Sequence, residues 1–130
     1  MIILSDGVDF RSKAGLDEAI GAAIRHDVVI YSILFSDAVF YRSNSDDWTR
    51  LGAAVMKGLA EATGGTFLPV GRKHTVAEMF EHIAEDVHNQ YSIGFTSDRP
   101  VKKSEVRKLT LKTTRRGLVV QTRKWYLAEP

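Results

Sequence analysis

Apolar positions along the chain alternate between short continuous runs and runs spaced three or four residues apart, and the order of those patterns predicts an α/β fold. Ile2–Ser5 reads as a short buried strand, and Leu16, Ile20, Ala23 and Ile24 give the helical spacing that follows it. Residues 28–35 are continuously β-branched and apolar, as in a central strand covered on both faces of a parallel sheet. Asp46 or Asp47 can cap a second helix with an inward stripe of Leu51, Val55, Met56, Leu59 and Ala62, which Gly64 and Gly65 end. Residues 66–68 then form a third, short strand. Thr75-Val76-Ala77-Glu78 is a capping box, and the helix it opens carries Val76, Met79, Phe80, Ile83 and Val87 on one stripe and ends near Asn89. Residues 91–95 predict a fourth strand. Residues 106–114 and 118–126 predict a hairpin around Arg115-Arg116-Gly117, with Leu109 and Leu111 facing Leu118, Val120 and Tyr126, and Lys108 and Lys112 outward.

This order, βαβαβα followed by βββ, makes the first three strands parallel neighbours with the first two helices on one face. The opposite face then needs the third helix, the hairpin or a second subunit as its cover. Residues 1–96 read as a partial α/β domain, with residues 97–130 a basic hairpin packed on it as part of the same unit. A chain of 130 residues suits one such domain. It contains no cysteine, so disulfides, thiol nucleophiles and thiolate metal sites are excluded. The apolar start is too short for a signal peptide, and no window approaches the roughly 20 apolar residues of a membrane span.

Charge changes the picture more than composition does. Residues 1–98 carry eight Lys/Arg and fourteen Asp/Glu, whereas residues 99–130 carry ten and two, so a net charge of +2 conceals two opposite fields. Lys108, Lys112, Arg115, Arg116, Arg123 and Lys124, with Trp125 and Tyr126 close by, suit an anionic or nucleic-acid partner. Alternatively the basic tail lies on the acidic body, its open face protecting an edge strand from aggregation; this second reading is preferred. His26, His74, His82 and His88 lack the three- or four-residue spacing of helical metal sites and read as surface residues.

Candidate chemistry centres on Asp6, which leaves the first strand where open α/β sheets bind ligands. Asp6 and Asp9 share one turn and are candidate metal ligands. The alternative is that Asp6 accepts loop amides and Asp9 leads into a helix whose dipole favours an acid. Phe10, Ser36, Asp37, Phe40 and Tyr41 are candidate partner-binding residues at the same end of the sheet, although Phe40 and Tyr41 can equally tuck over the helix containing Trp48. No nucleophile–base pair, Gly-rich phosphate loop or cofactor fingerprint is present, so the expectation is a protein without enzymatic activity.

Residues 3–9 (Ile3-Leu4-Ser5-Asp6-Gly7-Val8-Asp9), residues 59–67 and residues 83–95, in this order and spacing, resemble the von Willebrand factor type A domain. They look most like its bacterial subgroup common in Acidobacteria, including the hairpin after the last helix. The likeness spans nearly the whole chain but only the second half of a complete domain. It implies a truncated doubly wound, Rossmann-like parallel sheet with a C-terminal antiparallel β-hairpin. It also implies a metal-ion-dependent adhesion site built from an Asp-x-Ser-x-Ser loop, a threonine and the aspartate of a Ser/Thr-Asp-Gly turn. Asp6 matches the last of these, but the chain has no Asp-x-Ser-x-Ser, and Ser43-Asn44-Ser45-Asp46 has similar letters in another order. The site is therefore incomplete: no cofactor is expected here, and Mg2+ or Ca2+ belongs to a complete parent domain. Family members are often exported, which leaves the compartment open. The resemblance implies a non-catalytic, adhesion-type protein-interaction module. With the family's neighbouring strand absent, the Ile2–Ser5 edge is expected to pair with a second copy or to rearrange.

Overall fold

The computed structural model of the protein describes residues 1–35, 46–71 and 74–130. Three parallel strands, β1 (Ile2–Ser5), β2 (Tyr31–Leu34) and β3 (Phe67–Pro69), form a sheet in the order β1-β2-β3. Three helices among the described residues, α1 (Leu16–Arg25), α2 (Asp46–Thr63) and α3 (Val76–His88), alternate with them. A separate antiparallel pair, β4 (Glu105–Lys108) and β5 (Trp125–Ala128), follows. The register Ile2↔Tyr31, Leu4↔Ile33 and Ile33↔Leu68 places these five side chains on one face of the sheet. There Tyr31, Ile33 and Leu68 pack with Met79 and Ile83 of α3 in the core cluster. On the other face the buried Ser32 hydroxyl donates to Met56 O of α2 at 2.8 Å, and α1 packs beside α2. The third helix thus covers the face opposite the first two.

The line of α2 that meets the sheet is Gly52, Met56, Ala60 and Thr63, one position along from the predicted stripe, and Leu51 is exposed. Small residues explain the shift. The helix approaches so closely that a Cβ at Gly52 would overlap Asp6 O, and one at Gly7 would overlap Gly52 O. No side chain has room at Gly52 itself, although Met56 one turn later is fully buried. Thr63, buried at its end, accepts Ile30 N–H at 3.0 Å and donates its hydroxyl to Leu59 O at 2.9 Å. Gly64 leaves α2 at φ +86°, the left-handed exit the pattern predicts. Capping by Asp46 or Asp47 lies outside the described residues.

Other expectations are corrected. The strand β1 is half-exposed on the α3 side, with Ile2 at 43% and Leu4 at 53%, because α3 sits over β2 and β3. The ladder of β2 is shorter than residues 28–35, since Val28 N–H is spent on Ala23 O in closing α1. Third-strand pairing falls at Phe67–Pro69, one residue later than expected. Residues 91–95 join no ladder; their period-2 pattern specifies a face but brings no partner edge, and Tyr91 is 91% exposed. The hairpin ladder is confined to its base. Its register, Glu105↔Ala128 to Lys108↔Trp125, centres on Arg116 and Gly117 as the turn prediction requires, but beyond the Leu109–Lys124 bond the arms are unpaired. Leu111, Leu118 and Val120 consequently stay exposed.

The capping box of α3 is formed: Glu78 N–H donates to Thr75 Oγ1 at 3.3 Å, and Thr75 N–H to the Glu78 carboxylate at 2.6 Å. These bonds hold the Glu78 carboxyl below its ordinary value, the Thr75 backbone amide contributing most. A lowered folded-state value means that the contribution is full above the ordinary carboxylate range and is lost as pH falls through the folded-state value.

Two measurements check this account. Gly52→Ala is expected to lower the urea midpoint, at a cost of about 1–3 kcal/mol or more for overpacking, whereas Gly58→Ala, which meets no atom within 4 Å, should gain a few tenths to about 1 kcal/mol from helix propensity. Thr75→Ala should cost about 1 kcal/mol at pH 7, and the melting deficit of Glu78→Ala relative to wild type should shrink on acidification below the glutamate range.

Candidate functional site

Two surfaces bear on function: the rim at the carboxyl end of the parallel strands, and the open side of β1. At the rim, Asp6 follows β1 directly, as its sequence position predicts. The turn organises itself through its own polar groups. Gly7 N–H donates to Ser5 Oγ at 3.1 Å, Val8 N–H to Asp6 Oδ1 at 3.0 Å, and Ser12 N–H to Asp9 Oδ1 at 3.0 Å. Asp9 does not serve a helix dipole, because α1 begins only at Leu16 behind the N-cap Gly15; Asp17 and Glu18 occupy that first turn. Phe10 is exposed and stacks on Trp48 with ring centroids 6.1 Å apart. Ser36, Asp37, Phe40 and Tyr41 lie outside the described residues.

Cation binding at Asp6 and Asp9 would need a fuller set of oxygen donors than two carboxylates. Magnesium and calcium require six or more oxygens with several from carboxylates. Among the described residues no three His, Asp or Glu side chains converge on one point, and both rim carboxylates accept an amide from their own loop. Among the described residues the donors fall short of that set.

The basic hairpin is partly committed to the body. Arg123 pairs with Asp27, and Lys124 Nζ lies 3.3 Å from Glu61. Gln121 donates to Gly64 O at 3.2 Å and to Thr66 Oγ1 at 2.8 Å, while Thr66 donates to Asp86 on α3, also at 2.8 Å. The backbone at Thr122 and Arg123 lies so close to Gly64 that a Cβ there would collide with it. Lys108, Lys112, Arg115 and Arg116 are exposed and, among the described residues, form no ion pair. Arg107, a member of the same basic run, is turned inward: its guanidinium gathers the chain before β4, donating to Glu105 at 2.6 Å, Ser97 and Arg99 O at 3.0 Å each, and Pro100 O at 3.3 Å. The segment it holds borders an open cleft of about 550 Å³ against β5, where Phe95 meets Tyr126 edge-on. All four histidines are exposed; His26 caps α1, and His82 lies 3.7 Å from Asp86.

The open side of β1 is the larger apolar feature. Met1 O and Ser5 O accept Tyr31 N–H and Phe35 N–H, so the odd positions of β1 turn their backbone toward β2. Ile2 and Leu4, of opposite parity, direct N–H and C=O outward at the sheet edge. On the same side of the sheet, Phe80 and Val87 of α3 are 46% and 50% exposed. Both belong to the predicted inward stripe. That stripe is wider than the contact with β2 and β3 covers. Buried within the cluster, the Tyr31 hydroxyl accepts from Gln90 Nε2 at 3.1 Å; desolvation and the nearby Asp86 charge raise its pKa against that bond.

Comparison with protein-family models, curated proteins and solved structures returns no match. None of the described helices is long and apolar enough to cross a membrane.

Because Leu4 is half-exposed, Leu4→Lys should cost well under the roughly 2–5 kcal/mol of a buried leucine truncation when denaturant midpoints are compared under dilute conditions, whereas Ile33→Ala should fall within that range.

Proposed function

We propose that this chain is a non-catalytic protein-interaction module of the adhesion type, derived from a von Willebrand factor type A domain, whose principal contact is the open β1 edge. The observation that carries this reading is an uncharged edge strand with outward backbone groups and two half-exposed apolar side chains. Natural edge strands are ordinarily blunted by Lys, Pro or a bulge, and Ile2–Ser5 has none of these. The parallel order β1-β2-β3 with helices against both faces is compatible with the doubly wound sheet of that family, and Asp6 stands where its adhesion aspartate would stand. In this reading Asp6, Asp9 and Phe10 at the rim contribute a secondary surface for a protein ligand. Self-association runs through Ile2–Ser5. The intramolecular pairs of Arg123 and Lys124 favour the hairpin as a cover for the acidic body over an anionic-partner site.

Sedimentation velocity at micromolar concentration tests the reading. Wild type should sediment as a dimer and Leu4→Lys as a folded monomer; a wild type that stays monomeric to the highest soluble concentration overturns the self-association.

A further inference from the structure

We infer that the hairpin tip at Arg115-Arg116 is a processing site for a paired-base-specific serine endoprotease, and that the cut yields a two-chain protein in which residues 117–130 stay bound to residues 1–116. The site belongs to the hairpin and is independent of the contact read at β1.

Five adjacent pairs of bases occur in the chain: Arg72-Lys73, Lys102-Lys103, Arg107-Lys108, Arg115-Arg116 and Arg123-Lys124. The first lies outside the described residues. By sequence the other four have equal standing, and the fold separates them. Arg107 and Lys108 are in the β4 ladder opposite Tyr126 and Trp125, with the Arg107 guanidinium held by Glu105, Ser97 and the carbonyls of Arg99 and Pro100. Arg123 and Lys124 are committed to Asp27 and Glu61, and the backbone at Arg123 is pressed against Gly64. Lys102-Lys103 is fixed on both sides, by the Arg107 bonds to the carbonyls just before it and by the start of β4 at Glu105 just after it.

Arg115-Arg116 has none of these restraints. Beyond the Leu109–Lys124 bond no ladder forms, every residue from 110 to 120 is exposed, and the turn is drawn together by Arg115 N–H donating to Thr113 Oγ1 at 3.1 Å. An extended chain is gripped through main-chain hydrogen bonds, and an arm outside any ladder gives up no pairing to make them. Exposed loop tips are where proteolytic nicking concentrates. Gly117, at φ +83°, follows the bond to be cut; without a Cβ it passes from the left-handed to the extended form at no steric cost. Residues 106–120 carry five bases and no acid. Their field draws in an acidic cleft, and two carboxylate-lined pockets would each take one guanidinium as a charge-assisted pair.

The step consumes only water. The protease serine attacks the Arg116 carbonyl carbon, and the Arg116–Gly117 C–N bond breaks as the Gly117 nitrogen takes a proton. Water then hydrolyses the acyl-enzyme, leaving a carboxyl on Arg116 and an amine on Gly117. What holds the last strand lies away from these new ends. Residues 117–130 keep the β4–β5 register, the Leu109–Lys124 bond, the Gln121 contacts with Gly64 and Thr66, the ion pairs of Arg123 and Lys124, and the edge contact of Tyr126 with Phe95. Ala128 is buried. The chain has no cysteine, so no disulfide contributes to the joining of the two pieces.

Brief digestion of the native chain with a paired-base-specific serine endoprotease, read by mass spectrometry, tests the site. A single early cut after Arg116 is expected, about tenfold or more faster than cuts after Lys108 or Lys124, which wait on opening of the ladder; the urea-unfolded chain should be cut at every pair. Arg115→Gln, which removes the second base of an exposed pair, should abolish the early cut. On gel filtration at physiological salt the nicked protein should elute as one species containing both pieces, which separate only in denaturant. A first cut after any other pair, an early cut that survives Arg115→Gln, or a native chain that resists while the unfolded chain is cut overturns the site. Separation of the pieces without denaturant overturns the two-chain product.

Discussion

Direct backbone contact between α2 and the chain around it is the constraint on which the architecture depends. Gly52 against Asp6 and Gly7 sets the helix on the exit of β1, and the end of the same helix meets Ile30 through Thr63 and the hairpin arm through Gly64. Three separate stretches of chain are positioned by one helix at spacings only glycine and small side chains permit. The rim turn carrying Asp6 owes its place to this packing, because Gly7 cannot move away from the sheet without opening the contact. With α2 fixed over one face, Ser32 and Thr63 find partners in the interior, and among the described residues no buried polar side chain is left unsatisfied.

The opposite face is governed by ordinary apolar packing and is asymmetric. Tyr31, Ile33 and Leu68 are roofed by Met79 and Ile83, while the part contributed by β1 has no roof. One helix can cover about two strands, and α3 is drawn toward β3 by the Thr66–Asp86 bond and toward β2 by Gln90 and Tyr31. The open strip is therefore a product of where the polar anchors lie, not of a shortage of apolar residues. The unroofed strip and the free edge adjoin along β1.

Much of this was legible in the chain. Strand identity, the parallel order, the capping box at Thr75 and the left-handed exit at Gly64 all follow from residue pattern, because each depends on local backbone preference or on period. The sheet-facing line of α2 was not, since hydrophobic periodicity counts Leu, Val and Met and ignores Gly52 and Ala60, whose value is their small size. Residues 91–95 failed differently: alternation describes what a strand offers, and pairing requires an edge within reach. The Asp9 assignment failed because several non-helical residues separate it from Leu16. The position of Asp6 after β1 and the edge position of β1 follow from the order of elements, but their surroundings depend on tertiary contacts such as Phe10 on Trp48 that no local pattern encodes.

The pairing of Arg123 with Asp27 joins residues 96 positions apart, and β5 packs on α1 in the same region. α1 therefore acquires this neighbour only by closing a long loop of chain. Contacts of such long sequence separation slow folding, because the loop must close before the contact can form. Local structure in α1 can form ahead of that closure, so docking of the basic strand on it is the slower of the two events.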